Sequence, residues 1–390
     1  MKRVLFVIPA FSIGGTNTSL VSLLPYVDRT QYDVYVYALS PVGPMGKEIA
    51  RYCTVLNTIE PGTLSSSSSN SSGSTIKILL KRIKRFFDRI GIDLKPIVYR
   101  KQVKSLAVRS FDCVIAFQEG EATRFVQYFR NTRKAAWIRA DYSRYLSIAR
   151  IEPEVALYNK YDVIVNVSKS ALNSFLNLMP QCKGKSIYIY NLVDRERILS
   201  LSKSPDVAVQ NYAEFTIVSL GRVDKVKHFT DIPVIAKTLS DHGISFHWMI
   251  IGGPTVRYPE EYELLKKGIV DGDLSSRVEL LGHQSNPYPY LAKSNLLVCL
   301  SESETFNHTF AEARSLGIPV LSVDYPGSDE LLGNRKGGLT VKREMICETI
   351  ERIITDSESY TILKQEAESF LFDNSSQLKR LTDYVFEGHS

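Results

Sequence analysis

Apolar runs of strand length alternate with segments of helical periodicity along most of the chain. In the first half these runs are Val4–Ile8, Asp33–Ala38, Asp112–Phe117, Lys134–Ile138, Asp162–Asn166 and Ser186–Tyr190. A second series consists of Phe215–Ser219, Phe246–Ile251, Arg277–Leu281, Leu296–Leu300 and Pro319–Val323. Strand–helix alternation at this spacing predicts parallel, doubly wound sheets. We therefore predict an α/β protein of two similar units facing a central cleft, where ligands of such sheets bind.

The predicted organisation has an N-terminal domain at residues 1–195 and a second domain at 196–370, with the hinge in the polar stretch Ser200–Asn211. Residues 371–390 are predicted to form a helix that packs back on the first domain. The serine-rich stretch 65–75 has nothing to bury and is predicted to be a linker. It leads into a basic helical insertion at 76–109.

Length and composition narrow the class of protein. A chain of 390 residues with 44% hydrophobic and 23% charged residues is typical of a soluble globular protein with two domains. No apolar run reaches the ~20 residues of a membrane-spanning helix, and the first residues contain no signal-peptide cleavage site. The five cysteines are dispersed and form no C-x-x-C pair. This usage predicts a reducing compartment, by default the cytosol, and no zinc or iron–sulfur site.

The net charge of +6 is unevenly distributed. Residues 76–109 contain 11 Lys and Arg against two Asp, a net of +9, so the rest of the chain carries −3. Arranged as a helix, residues 76–90 place apolar side chains on one face and basic ones on the other, as in helices that bind anionic lipid surfaces. The alternatives are a surface helix packed on its own core and, with less support, a nucleic-acid site.

Two loops at predicted strand ends could approach a phosphate. Gly14, Gly15 and Thr16 follow the first strand and precede a helix, whose N-terminus favours an anion. A plain tight turn is the alternative interpretation. Arg222 and Lys227 lie five residues apart in the loop after the first strand of the second series, where both could neutralise a departing diphosphate. A solvated basic loop would have the same composition.

A third loop contains Asn286 and Pro287 in an N-P-Y-P-Y run. Such a turn is rigid and aromatic, so it could line the flat face of a base or sugar, or form a purely structural corner.

The fourth loop carries two carboxylates. Glu304 follows a predicted strand, and Glu312 lies eight residues on, in the next helix. Both could accept hydrogen bonds from sugar hydroxyls, although this spacing alone also arises by chance. The backbone N–H groups of Asn307, His308 and Thr309 are expected to be available to a ligand at the helix start.

The order of these motifs resembles that of the family 4 glycosyltransferases, most closely the bacterial branch that builds capsular and other surface polysaccharides. The matching elements are G-G after strand one, G-R-x4-K, G-x3-N-P-Y-P-Y, E-x7-E-A and L-G-I-P-V. The likeness covers essentially the whole second unit and is looser over residues 1–195. It implies the GT-B fold, a nucleotide-sugar donor and a retaining transfer that needs neither a metal nor a cofactor.

The resemblance also implies roles for individual residues. Arg222 and Lys227 would stabilise the donor diphosphate, and Glu304 would bind the transferred sugar near its reacting carbon. Glu312 would bind the ribose. The other implied donor-binding residues are Gly14, Gly15, Thr16, Asn286, Pro287, Phe306, Asn307, His308 and Thr309.

Two features depart from the family pattern. Thr305 stands where the family usually has glycine, so the sugar pocket would be narrower or differently hydrogen-bonded. Many relatives have a histidine near the acceptor in the first domain, whereas this chain has none before His228. Glu119, Arg139 and Asp141 are therefore the candidates for acceptor binding.

These inferences lead to one principal hypothesis. The enzyme would move a hexose or N-acetylhexosamine from a UDP-sugar to a polyprenyl-diphosphate-linked saccharide or other glycan acceptor. It would be cytoplasmic and peripheral on the inner face of the cell membrane, docked through residues 76–109, with no nucleic-acid partner. The alternatives are a nucleotide-sugar epimerase or hydrolase of the same fold, and a non-catalytic glycan- or lipid-binding subunit.

Overall fold

The computed structural model describes residues 1–57, 93–205, 210, 212, 214–332 and 337–389. The described residues divide into two compact units. The first comprises Met1–Val167, Ala171–Leu192 and Ser375–Ser390, and the second comprises Ser168–Ser170 and Val193–Asn374. The linker predicted at 65–75 and the helix predicted at 76–90 lie outside the described residues.

In the described part of the first unit, seven strands form one sheet whose neighbouring strands are all parallel. The strands are β1 (Lys2–Ala10), β2 (Tyr32–Ser40), β3 (Thr54–Val55), β4 (Cys113–Ala116), β5 (Arg133–Ile138), β6 (Val163–Asn166) and β7 (Ser186–Tyr188). Their order across the sheet is β3-β2-β1-β4-β5-β6-β7. The order reverses between β1 and β4, so the loops that follow these two strands meet at the carboxyl edge of the sheet.

The helices of the first unit cover the sheet. They are α1 (Gly15–Leu23), α2 (Met45–Ile49), α3 (Lys95–Ala107), α4 (Glu121–Val126), α5 (Tyr142–Ala149), α6 (Val155–Tyr158) and α7 (Lys169–Leu178). Residues Val4 to Ile8 of β1 are completely buried. A central parallel strand is covered on both faces, which explains why this stretch is apolar without alternation.

The second unit repeats the plan. Its described strands are β8 (Phe215–Leu220), β9 (Phe246–Ile251), β10 (Val278–Gly282), β11 (Leu296–Cys299), β12 (Val320–Val323) and β13 (Gly338–Val341), in the parallel order β10-β9-β8-β11-β12-β13. Its helices are α8 (Arg195–Ser202), α9 (Ile232–Asp241), α10 (Pro259–Asp271), α11 (Tyr288–Ala292), α12 (His308–Ser315), α13 (Ser328–Leu332), α14 (Ile346–Thr355) and α15 (Ser357–Ser369). The strand order here reverses between β8 and β11. Within the described ranges, no helix combines the length and apolarity that crossing a bilayer requires.

The final helical segment returns to the first unit. Helix α16 (Asn374–Arg380) continues into a π-helical stretch, Leu381–Glu387, and the chain belongs to the first unit from Ser375 onward. The Arg133 Nε donates to the Val385 carbonyl at 3.0 Å. The Phe386 ring lies 4.8 Å from the Tyr32 ring. The end of the chain thus packs on strands of the first sheet.

The predicted α/β class with parallel, doubly wound sheets is confirmed, and every predicted strand has a counterpart. Strands β3 and β13 were not predicted: β3 has only two residues, and β13, with the sequence G-L-T-V, contains too few apolar residues to form a continuous run. The predicted hinge at Ser200–Asn211 is wrong. The chain passes from the first unit to the second between Leu192 and Val193, and α8 already lies in the second unit. The first residues of the polar stretch form the end of α8.

Candidate functional site

The loops after β8 and β11 bring two of the predicted catalytic residues into contact. Lys227 Nζ lies 2.6 Å from Glu304 Oε1, and the two side chains are 16% and 18% exposed. Burial by itself acts to lower the pKa of Lys227, but the Glu304 carboxylate, together with Cys299 and Asp224, outweighs it and the net pKa is raised. A charged ammonium is therefore held at the carboxyl edge of the second sheet, where the strand order reverses.

The loop that carries Lys227 is shaped by a buried carboxylate and two glycines. Asp224 Oδ1 accepts hydrogen bonds from the backbone N–H groups of Val226 and Lys227 at 3.1 and 3.2 Å. A Cβ at Gly252 would lie 1.8 Å from the Gly221 oxygen, and a Cβ at Gly221 would lie 3.1 Å from Lys227 Cε. Glycine is therefore needed where the β8 and β9 loops touch. Asp224 was not predicted as a site residue, although its place inside the G-R-x4-K motif was a usable signal.

Arg222 lies on the solvent side of the same loop. Its side chain is 79% exposed, and its guanidinium lies 3.5 Å from the Asp224 carboxylate. An ion pair this exposed contributes only about 0–1 kcal/mol. An incoming anion could therefore replace the carboxylate at Arg222 with little loss. The structure thus joins two of the three predicted catalytic residues and places the third at the rim.

Asn307 is the N-cap of α12, and its side chain is used within the protein. Its Oδ1 accepts a hydrogen bond from the Thr309 N–H at 3.1 Å, and its Nδ2 donates to Cys299 Sγ at 3.4 Å. The prediction that the Thr309 N–H is available to a ligand is therefore wrong, because asparagine is a preferred capping residue. Phe306 is buried, and its ring lies 5.1 Å from the His308 ring. The predicted donor-binding residues of this turn lie side by side.

Glu312 faces a tyrosine. The Tyr288 hydroxyl donates to Glu312 Oε1 at 3.2 Å. Burial raises the pKa of Glu312 to about 7, while this hydrogen bond and the charges of Arg197 and Lys227 act in the opposite direction. The carboxyl group therefore changes charge near neutral pH. Tyr288 belongs to the N-P-Y-P-Y motif, which is a usable signal, whereas no sequence motif points to Arg197.

Asn286 and Pro287 shape the turn that presents this tyrosine. Asn286 Nδ2 donates to the Leu201 carbonyl at 2.9 Å, and its Oδ1 accepts from the Tyr288 N–H at 3.3 Å. Pro287 immediately precedes α11, where its fixed φ suits a helix start. Both residues thus make contacts within the second unit, and through the turn they place Tyr288 beside Glu312.

The first unit has a corresponding pair of loops after β1 and β4. Thr16 Oγ1 donates to Gln118 Oε1 at 3.0 Å, which joins the start of α1 to the β4 loop. Gly14 caps α1, Gly15 begins it, and a Cβ at Gly14 would meet no atom within 4 Å. The predicted residues Gly14, Gly15 and Thr16 therefore lie together at a helix N-terminus, where the strand order of the first sheet reverses, and the space beside Gly14 is open.

Glu119 and Arg139 belong to a dense network at this edge. Glu119 is 6% exposed and accepts a hydrogen bond from the Arg139 N–H at 2.8 Å. Burial raises the pKa of Glu119 and lowers the pKa of Arg139 to about 9, although each charge opposes the other's shift. The Arg139 side chain also donates to the Phe117 carbonyl, Ser19 Oγ and Asn191 Oδ1 at 2.9, 3.0 and 3.0 Å. These bonds stabilise the edge of the sheet, and acceptor binding by this pair stays a prediction.

Asp141, the third predicted acceptor residue, is the N-cap of α5. Its carboxylate accepts from the Arg144 N–H at 3.2 Å, Ser143 Oγ at 2.6 Å and Ser174 Oγ at 2.9 Å. Burial acts to raise the pKa of Asp141, but these hydrogen bonds outweigh it and the net pKa is lowered. Its hydrogen bonds thus lead to α5 and α7, whereas those of the Arg139 side chain lead to α1 and to the segments after β4 and β7.

Two Rossmann-like units, each with an all-parallel sheet and with candidate residues at the reversal of strand order, have the GT-B fold of glycosyltransferases. Residues 203–370 match the model of the family Glycosyl transferases group 1. This region holds the Lys227–Glu304 pair and the carboxyl group of Glu312. The protein is accordingly a glycosyltransferase, and the prediction of a transferase is confirmed.

The chain is similar in sequence to curated glycosyltransferases. N-acetylgalactosamine-N,N'-diacetylbacillosaminyl-diphospho-undecaprenol 4-alpha-N-acetylgalactosaminyltransferase of Campylobacter jejuni is 27% identical over 270 residues, which are 68% of this chain and 67% of that protein. The lipopolysaccharide core biosynthesis glycosyltransferase LpsE of Rhizobium meliloti is 26% identical over 324 residues and is covered over 91% of its length, against 72% of this chain.

A solved structure supports the fold over the whole chain. Anabaena HepE, crystallised in complex with UDP, superposes with a TM-score of 0.72 at 17% identity, covering 99% of this chain and 100% of HepE. Likeness at this level of identity concerns the fold alone. By their names, LpsE acts in lipopolysaccharide core biosynthesis and CapM of Staphylococcus aureus, 24% identical over 145 residues, acts in capsular polysaccharide biosynthesis.

Proposed function

We propose that the protein is a retaining glycosyltransferase of family 4 that moves a hexose or N-acetylhexosamine from a UDP-sugar to a lipid-linked glycan. The observation that carries the proposal is the contact of 2.6 Å between Lys227 and Glu304 at the strand-order reversal of the second sheet. A cation and a carboxylate at this position can bind different parts of one nucleotide sugar. The ammonium would take the diphosphate and the carboxylate would take the sugar.

The choice of UDP rests on the fold neighbour and on the carboxyl group of Glu312. HepE was crystallised with UDP and with UDP-glucose. In this chain Glu312 lies in the same unit as Lys227, whose charge acts on it, and it would accept hydrogen bonds from the ribose hydroxyls. Gly14, Gly15 and Thr16, at the N-terminus of α1, would also contribute to donor binding.

The chemical step needs stabilisation of the charge that develops on the departing diphosphate. Lys227 supplies a buried ammonium, and Arg222 supplies an exposed guanidinium that can follow the phosphate. Removing one such donor typically costs about 10²–10³ in kcat. We propose that these two cations serve without a metal or a cofactor.

The proposed acceptor is a saccharide on a polyprenyl diphosphate, and it rests on the name of the Campylobacter relative, whose acceptor is a diphospho-undecaprenol saccharide. Capsular or other surface polysaccharide synthesis would supply such an acceptor. In this chain Glu119 and Arg139 would line the acceptor side.

The described part of the basic insertion fits a membrane surface. Helix α3 exposes Ile97 at 64% and Val98 at 49%, together with Lys101 and Lys104. Exposed apolar side chains beside lysines suit the interface of an anionic leaflet, where each lysine contributes about 1 kcal/mol. We propose that α3 contributes to peripheral docking on the inner face of the cell membrane.

The proposal is tested by thermal unfolding of the full-length protein with a panel of nucleotide sugars, followed by transfer to a polyprenyl-diphosphate saccharide. A UDP-sugar should raise Tm, since a bound ligand stabilises the folded state by mass action. NMR of the product should show retention of the anomeric configuration, and EDTA should leave the rate unchanged. Protection only by GDP-sugars, an inverted product or a requirement for Mn²⁺ would each contradict the corresponding part.

Two controls separate the rival activities. Consumption of the UDP-sugar without an acceptor would indicate an epimerase or hydrolase. Binding of UDP without turnover of any acceptor would indicate a non-catalytic subunit. Full activity of Glu304→Ala would remove the assignment of the site.

A further inference from the structure

A second side-chain contact lies directly beside the Lys227–Glu304 pair and joins the same two loops. His228 Nε2 lies 3.2 Å from Glu302 Oε2. In sequence His228 follows Lys227, and Glu302 precedes Glu304 by two positions. The Glu302 N–H also donates to the Val226 carbonyl at 3.0 Å. A backbone hydrogen bond and two side-chain contacts thus help to connect the β8 and β11 loops.

The backbone of His228 is constrained. Its φ is 51°, in the left-handed region that residues other than glycine seldom adopt. Its Nδ1 lies 3.7 Å from Asp231 Oδ2, and the same oxygen accepts from Arg343 at 2.6 Å. The imidazole therefore lies between two carboxylates, one on its own loop and one on the β11 loop. The left-handed backbone directs it there.

The two side-chain contacts differ in what a ligand does to them. If Lys227 binds the donor diphosphate, it must weaken its ion pair with Glu304, and the loops then lose that connection. The His228–Glu302 contact involves neither proposed donor-binding group. We propose that His228 and Glu302 form a positioning brace that holds the Lys227 loop against the Glu304 loop while the donor occupies the site. This inference rests on the proposed function and assigns a role to two residues outside the machinery already described.

The test is a double-mutant cycle on UDP affinity in the full-length protein, measured by calorimetry. His228→Gly removes the imidazole and suits a φ of 51°, so it does not strain the loop. Glu302→Ala removes the partner. Each variant should weaken UDP binding about threefold to fivefold, as expected for the loss of a partly exposed pair. The double variant should weaken it no further, because both changes break one contact.

Two further variants identify the cause. Glu302→Gln keeps an oxygen that can accept from the imidazole, so its UDP affinity should stay within about twofold of wild type. Glu260→Ala is the matched control. Glu260 is 50% exposed, like Glu302, and lies 3.7 Å from Lys225 of the same loop, so its removal takes away an equal charge without touching the brace. Its UDP affinity should be unchanged.

The outcomes separate the two proposals. Failure of the wild-type protein to bind UDP would overturn the proposed donor and the brace with it. Normal UDP binding by the wild type, together with unchanged affinity of His228→Gly, would overturn the brace alone. Additive losses in the double variant would also overturn it. A lowered Tm with unchanged UDP affinity would make the contact structural rather than positioning.

Discussion

The two strand-order reversals have the same topology, and each holds a cation beside a carboxylate, but the charges differ in how far they are exposed and in what they bind. At the first reversal, Glu119 is buried and accepts a hydrogen bond from the Arg139 N–H. The Arg139 side chain donates to the Phe117 carbonyl after β4 and to Ser19 in α1. At the second, Lys227 and Glu304 are 16% and 18% exposed, and Arg222 is 79% exposed. Charges that are satisfied inside the protein stabilise it, whereas charges with weak or exchangeable partners can bind a ligand. The comparison indicates why the diphosphate is assigned to the second unit.

The largest expected effect comes from removing the cation at the second reversal, and it concerns the transfer rate. Lys227→Ala should lower the transfer rate by about 10²–10³, because the departing diphosphate loses its ammonium. Transfer from the UDP-sugar at saturating acceptor measures it. Lys225→Ala is the control, since Lys225 is 58% exposed on the same loop and should change the rate less than about fivefold, that is by about 0–1 kcal/mol. Equal losses in the two variants would mean that only the overall charge of the loop matters.

The next largest effect comes from removing the cation at the first reversal, and it concerns the free energy of unfolding. Arg139→Ala removes the charge nearest to the buried Glu119 carboxylate and should lower the free energy of unfolding by about 3 kcal/mol. Urea denaturation measures it. Adding Glu119→Gln should restore part of the loss, because the uncompensated charge is then gone. If Arg139→Ala instead leaves the free energy of unfolding unchanged while abolishing transfer, Arg139 acts in acceptor binding alone and does not stabilise the first unit.

A pH profile sharpens the comparison within the second unit. Glu312 has a pKa raised to about 7 by burial, and ribose hydroxyls require its deprotonated form as acceptor. UDP affinity should therefore fall about tenfold from pH 8 to pH 6, one order of magnitude for each pH step below the pKa. Calorimetry at several pH values measures this slope.

The matched variant for this profile is Glu312→Gln, which should show a flat pH dependence. A carboxyl group whose pKa is raised in the folded state destabilises that state once the pH exceeds the pKa that the group has in the unfolded chain. Glu312→Gln should accordingly be more stable than wild type at pH 8, and this advantage should disappear toward pH 4. A wild-type UDP affinity independent of pH would exclude Glu312 from the ribose contact.

The smallest expected effect concerns the surface of the first unit. Lys101→Ala on α3 should weaken binding to vesicles containing anionic lipid by about fivefold, the loss of about 1 kcal/mol. Vesicle cosedimentation measures it. Lys266→Ala, on helix α10 of the second unit and 54% exposed, should leave vesicle binding unchanged. Equal effects of the two would indicate adhesion by net charge alone.

The fold could be predicted largely from the chain because buried parallel strands are written as continuous apolar runs. Strands β3 and β13 could not be predicted, since their few residues become strands by pairing with β2 and β12. The site could be predicted where motif residues follow such runs, as for Lys227 and Glu304. Arg197 escaped because it reaches the site from a helix with no motif of its own.

The sequence by itself determined the alternation of strands and helices, and hence the doubly wound class and the loops at which chemistry could lie. Only the tertiary structure decided which charges meet. It paired Lys227 with Glu304, turned Asn307 inward as a helix cap and set Arg139 into a buried network. The physical reason is that periodicity is a local property of the chain. Hydrogen-bond partners and burial are set by contacts between residues far apart in sequence.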